Sequence, residues 1–104
     1  MHGRIMTAGL EARKRRAIFR ATHRGTKEMD WMLGRFAHST VGDMDAIALA
    51  TFEDLLVLPD PQIQNWVMWP DQNVDLRFEA LVRELRGFHG LIDGEVLRTK
   101  NETI

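Results

Sequence analysis

The stretch His23-Arg24-Gly25-Thr26-Lys27-Glu28-Met29-Asp30 decides how the chain is divided. On either side of Gly25 the residues follow a helical pattern, and glycine is the natural residue for a helix corner because it accepts a left-handed backbone without a Cβ penalty. Thr26 or Gly25 can serve as N-cap of the following helix, and Glu28 falls in its first turn, where a negative charge suits the positive end of the helix dipole. By local chemistry alone this is an ordinary helix–turn–helix corner with a capping glutamate. Arg24 and Glu28 would then be exposed, and replacing either by alanine should cost at most about 1 kcal/mol.

Working back from the corner, the first helix is expected over about 9–22, with Leu10, Lys14, Ala17, Ile18 and Ala21 on one side. That apolar stripe is thin, which predicts a peripheral helix. Residues 1–8 show no periodicity and are expected to form a flexible N-terminus. Working forward, the second helix is expected from Thr26 to His38, with Met29, Met32, Leu33 and Phe36 making a complete apolar face. Gly34 inside it costs roughly 1 kcal/mol against alanine, which suggests close approach of a neighbouring helix.

A third helix is expected from Met44 to Leu58, with Ala48, Phe52, Leu55 and Leu56 buried and Ile47 and Leu49 at the margins. Pro59-Asp60-Pro61 then stops it and starts a fourth, with Asp60 as N-cap and Pro61 at the first helical position. The fourth carries Ile63, Trp66 and Val67 inwards and ends at Trp69-Pro70-Asp71. Asn73 caps a fifth helix reaching Phe88, with Phe78, Leu81, Val82, Leu85 and Phe88 as its face and Gly87 and Gly90 at its end. Residues 91–104 read as a mobile tail. No stretch alternates like a strand. The expected fold is all-α: a single-domain, compact five-helix bundle over residues 9–90.

Composition narrows the function. The chain has 104 residues, 44% of them hydrophobic, and no cysteine, so disulfides, thiolate metal sites and a cysteine nucleophile are excluded. No apolar run approaches a membrane span, so no membrane insertion is expected. Residues 1–35 carry nine Lys or Arg against three acids, while residues 36–75 carry none against seven. A basic first helix could steer the chain to an acidic surface, or its charge could be compensated by the acidic middle of the same domain. His2, His23, His38 and His89 have no metal-ligand spacing, Glu53 and Asp54 are adjacent and diverge on a helix, and there is no glycine-rich phosphate loop. No catalytic residue, metal site or cofactor site is expected, and the chain reads as a binder without a cofactor of its own.

Two blocks carry a resemblance. Arg15-Arg16-Ala17, then His23-Arg24-Gly25-Thr26-Lys27-Glu28-Met29-Asp30, Leu33 and Phe36, form the first. Phe52-Glu53-Asp54-Leu55-Leu56 followed by Pro59-Asp60-Pro61-Gln62-Ile63-Gln64-Asn65-Trp66 forms the second. In order and spacing they resemble the succinate dehydrogenase assembly factor 2 family, the bacterial and mitochondrial flavinylation factors. The resemblance implies a small helical, non-enzymatic assembly factor. Such a factor binds the flavoprotein subunit of succinate dehydrogenase and, in some bacteria, of fumarate reductase. It promotes covalent attachment of FAD to that subunit. It also implies a bacterial cytoplasmic location, or the mitochondrial matrix for a processed eukaryotic chain. The motif carries over to Arg24, Gly25 and Glu28 as partner-binding residues. His23 and Asp30 lie beside them in the same run, and Arg16 and Arg20 on the first helix favour encounter with an acidic surface. Residues 70–104 carry no part of the resemblance. The alternative is a small nucleic-acid-binding regulator, since a basic helix, a glycine turn and a second helix can mimic a DNA-binding helix-turn-helix. Against it, Glu28, Asp30 and the acidic middle would repel phosphate, so no nucleic-acid partner is expected.

Overall fold

The computed structural model describes residues 2–69 and 73–91, with side chains from Gly9 onward. Five α-helices follow in order: α1 (His2–Thr22), α2 (Lys27–Thr40), α3 (Ala46–Val57), α4 (Asp60–Met68) and α5 (Glu79–Phe88). Short 3-10 turns at Val41–Asp43 and Leu76–Phe78 precede α3 and α5. Among the described residues there is no strand, and the all-α fold with five helices is as the sequence predicts. The chain divides into two units, residues 1–57 and 58–104. The expected tail lies, after Leu91, outside the described residues, as do Pro70 and Asp71 of the expected end of the fourth helix.

In the first unit, α1 packs on both α2 and α3. The helix starts at His2, well before the expected Gly9, because nothing in residues 2–8 breaks it. It is also not peripheral. Ala17 and Ala21 are fully buried, and their small side chains let α2 approach closely. A thin stripe in sequence is here a close-packing stripe. Gly34 of α2 sits where a Cβ would lie 2.8 Å from Thr22 Cγ2 and 3.4 Å from Thr22 Cα. Thr22 cannot swing aside freely, since its hydroxyl donates to the Ile18 and Phe19 carbonyls and its χ1 is restricted by branching. Gly34→Ala is therefore expected to lose about 1 kcal/mol net, overpacking outweighing the gain in helix propensity. Urea unfolding checks this: the midpoint should fall at unchanged slope, and a raised midpoint would mean that Thr22 yields.

The α2 face is as predicted, with Met29, Met32, Leu33 and Phe36 all buried. Phe36 meets Phe52 of α3 with ring centroids 5.8 Å apart. The buried stripe of α3 is as expected at Phe52, Leu55 and Leu56 and differs in the first turn. Leu49 is fully buried with Phe52, Leu55 and Leu56, whereas Ala48 is exposed and Ile47 is 80% exposed. The N-cap is Asp45, whose carboxylate accepts from Ala48 N at 2.8 Å.

Lys14, the buried cation of α1, donates to the Gly42 carbonyl at 2.7 Å, so its burial leaves the ammonium satisfied. Arg13 makes a two-pronged pair with Glu53 of α3, at 2.8 and 3.2 Å. The hydrogen bond to Glu53 raises the Arg13 pKa above its ordinary value, desolvation opposing and the Glu53 charge adding to it.

In the second unit, Ile63, Trp66 and Val67 of α4 are buried as expected, and α4 packs on α5. Pro59 rather than Asp60 occupies the N-cap position of α4, its carbonyl accepting from Gln62 N and Ile63 N. Asp60 is instead the first residue of the helix and Pro61, expected there, the second. The fifth helix also starts later than predicted. Asp75, not Asn73, caps the Leu76–Phe78 turn by accepting from Arg77 N at 2.9 Å. Phe78, Leu81, Val82 and Leu85 are buried, but Phe88 is 40% exposed. Gly90 ends the helix with φ +74°, Gly90 N donating to Gly87 O and Leu91 N to Arg86 O. These two bonds make a Schellman cap, which satisfies carbonyls the last turn would leave open.

Candidate functional site at the α1–α2 corner

The corner is built by three residues that close on one another. Gly25 has φ +109°, a region that side-chain-bearing residues rarely enter. Thr26, with extended backbone, accepts from Met29 N at 3.2 Å and caps α2. The Asp30 carboxylate, one turn into α2, reaches back to accept from Arg24 N. These bonds fix a tight turn between α1 and α2, and they give Asp30 a structural role inside the corner.

Arg24 is placed differently from the exposed residue predicted. It is half-buried, and its guanidinium donates to the Leu56 carbonyl in the last turn of α3. That turn contains no basic residue of its own, so Arg24 supplies the cation that suits the negative end of the α3 dipole. Arg86 does the same for α4, donating to Val67 O. The expectation that Arg24→Ala leaves stability nearly unchanged is corrected accordingly.

Gly25 and Glu28 stand on the surface at the corner. Nothing lies within 4 Å of where a Gly25 Cβ would sit, so the glycine is required by backbone conformation rather than by internal crowding. Glu28 is exposed, and among the described residues no hydrogen bond or ion pair holds its carboxylate. It lies in the first turn of α2, at the positive end of the helix dipole. The corner thus presents a carboxylate on a rigid turn, with open backbone three residues before it.

His23 ends the outer face of α1. Its ring stacks on Phe19, with centroids 3.9 Å apart and planes at 22°, and Nδ1 lies 2.7 Å from the Phe19 carbonyl. A carbonyl only accepts, so in this contact Nδ1 carries the proton. Arg16 and Arg20 are exposed on the same helix, and with Ala12, Arg15 and Phe19 they line a shallow groove. Phe19 belongs to no motif in the sequence, although its four-residue spacing from His23 is the spacing of neighbours on a helix. No group of three or more His, Cys, Asp or Glu among the described residues could hold a metal, and none of their helices is long and apolar enough to cross a membrane.

The chain is 43% identical over 58 residues to a protein of Acetobacter pasteurianus named FAD assembly factor SdhE, covering 56% of this chain and 53% of that one. It is 30% identical over 80 residues to a Dictyostelium discoideum protein named succinate dehydrogenase assembly factor 2, mitochondrial, covering 77% of this chain and 56% of that one. The chain therefore spans about half the length of the curated relatives it matches. No solved structure matches it. The matched family model, described as flavinator of succinate dehydrogenase, covers residues 15–89 and so takes in the whole corner and part of each unit. This chain belongs to that family.

Proposed function

We propose that the chain is a non-enzymatic assembly factor that binds the flavoprotein subunit of succinate dehydrogenase and promotes covalent attachment of FAD to it. The observation that carries this reading is the α1–α2 corner of a family member, where Glu28 is exposed and unpaired among the described residues on a turn fixed by Gly25, Thr26 and Asp30. A carboxylate carried on a fixed backbone can accept from an arginine or from backbone amides of the partner with only its own side chain left to order, which limits the cost of binding. The bond-forming chemistry belongs to the flavoprotein. A binder accelerates it only by favouring the reactive conformation over the others.

FAD is held by the partner in this reading, and the assembly factor has no cofactor of its own. The flavoprotein of fumarate reductase presents a related task and is a second candidate partner. The site of action is then wherever the flavoprotein matures: the bacterial cytoplasm, or the mitochondrial matrix for a processed eukaryotic chain. A nucleic-acid role is disfavoured by Glu28 at the start of α2.

Incubating the chain with FAD and the apo flavoprotein subunit should raise the yield of covalent flavin, read as in-gel fluorescence of the denatured subunit. The chain should not be consumed or carry flavin away. Fluorescence no higher than with buffer would overturn the assignment.

A further inference from the structure

The basic run Arg13-Lys14-Arg15-Arg16 is divided by the fold into two pairs with different fates. Arg13 is neutralised by Glu53, and Lys14 is spent on the Gly42 carbonyl with Glu11 at 3.9 Å. Arg15, Arg16 and Arg20 point outward and have no acidic partner among the described residues. Among these cations, an acid of the chain's middle, Glu53, pairs with Arg13 alone. Three unneutralised guanidinium groups remain around Phe19, a residue 61% exposed.

Phe19 is not a loose surface side chain. The His23 ring covers one of its faces, and His23 is itself held by the Phe19 carbonyl and by contact with the Thr22 hydroxyl at 3.0 Å. Ala12 leaves the other end of the groove low. A rigid aromatic ring ringed by arginines is the composition of an interface centre, where aromatics and Arg are enriched and ordering costs are small.

We infer that this outer face of α1 is a second docking surface, which takes a carboxylate-bearing segment of the flavoprotein with an apolar side chain seated against Phe19. The occupant follows from charge complementarity: three open guanidinium forks match carboxylates bidentately, and the ring needs an apolar counterpart. The surface rests on the proposed function but is separate in chemistry from the corner, which offers an anion where this face offers cations. Phe19 anchors the complex and slows dissociation, while Arg15, Arg16 and Arg20 speed encounter.

The test is binding of the purified apo flavoprotein subunit to immobilised chain, with rates measured at several salt concentrations. Phe19→Ala should raise the dissociation rate about tenfold or more. The double variant Arg16→Ala/Arg20→Ala should lower the association rate severalfold and flatten its salt dependence. Both replace exposed side chains, and an unchanged melting temperature certifies the fold. A wild-type chain that fails to bind the flavoprotein overturns the proposed function and this surface with it. Wild-type binding that Glu28→Ala weakens while these variants do not overturns the surface alone. Loss of affinity for duplex DNA or for anionic vesicles, with flavoprotein binding intact, would assign the face to another class of partner and overturn it too.

Discussion

Trp66→Ala is expected to destabilise the protein by about 3–5 kcal/mol, the cost of truncating a buried aromatic. Trp66 is only 7% exposed, and its ring centroid lies 5.9 Å from that of Phe78 at the start of α5. The helix that carries it has nine residues, too few to persist without tertiary packing. Its inward face is Ile63, Trp66 and Val67, so removal of the indole takes away the largest of three anchors and leaves a cavity against Phe78. For a domain of this size the melting temperature should drop by roughly 15 °C or more. Trp69→Ala, three residues on and 58% exposed, should stay within about 0.5 kcal/mol of wild type. If the two variants melt together, Trp66 does not anchor α4 and the packing of the second unit is misassigned.

What the sequence disclosed follows a physical divide. The buried face of helix α2 was legible because Met29, Met32, Leu33 and Phe36 fall at i, i+3, i+4 and i+7, although the helix runs two residues past the expected His38, to Thr40. Helix α3 was legible as an element and at Phe52, Leu55 and Leu56, but not in its first turn: Ala46-Ile47-Ala48-Leu49-Ala50 is apolar all round, so periodicity cannot choose between Ala48 and Leu49. The burial of α1 was underestimated because alanine contributes little to an apolar stripe while permitting the closest helix approach. Start positions failed where two good caps compete, as with Asn73 and Asp75, or where proline ends up at the cap itself, as with Pro59.

The site shows the same divide. Gly25 and Thr26 act within a few residues of themselves, and their roles could be read locally. The bonds of Arg24 to Leu56 O and of Arg13 to Glu53 join residues more than thirty positions apart, and no local pattern encodes them. The family resemblance found the motif, but only the fold distinguishes its members. Asp30 is turned inward to the backbone, Arg24 is shared with α3, and Glu28 is turned out.

That separation sets the second large effect. Glu28→Ala is expected to lower flavoprotein binding and covalent flavin yield by about 30-fold, because truncating one side of a desolvated charge pair costs 2 kcal/mol or more. Its stability should change by at most about 1 kcal/mol, since only a dipole interaction in the first turn of α2 is lost. Arg24→Ala should behave in the opposite proportion. Removing its guanidinium leaves the Leu56 carbonyl without its charged donor and costs roughly 1.5–3 kcal/mol of stability. Its flavin yield, measured at a temperature where the variant is folded, should then separate the internal bond from any contact with the partner. Thermal melts and in-gel flavin fluorescence on the two variants give both numbers. Glu28→Ala unfolding with Arg24→Ala would make the whole motif a structural clamp. Glu28→Ala with wild-type stability and wild-type flavin yield would remove the carboxylate from the interface. Only the crossed result, a stable but inactive Glu28→Ala beside a destabilised Arg24→Ala, fits a corner whose arginine holds the fold and whose glutamate meets the partner.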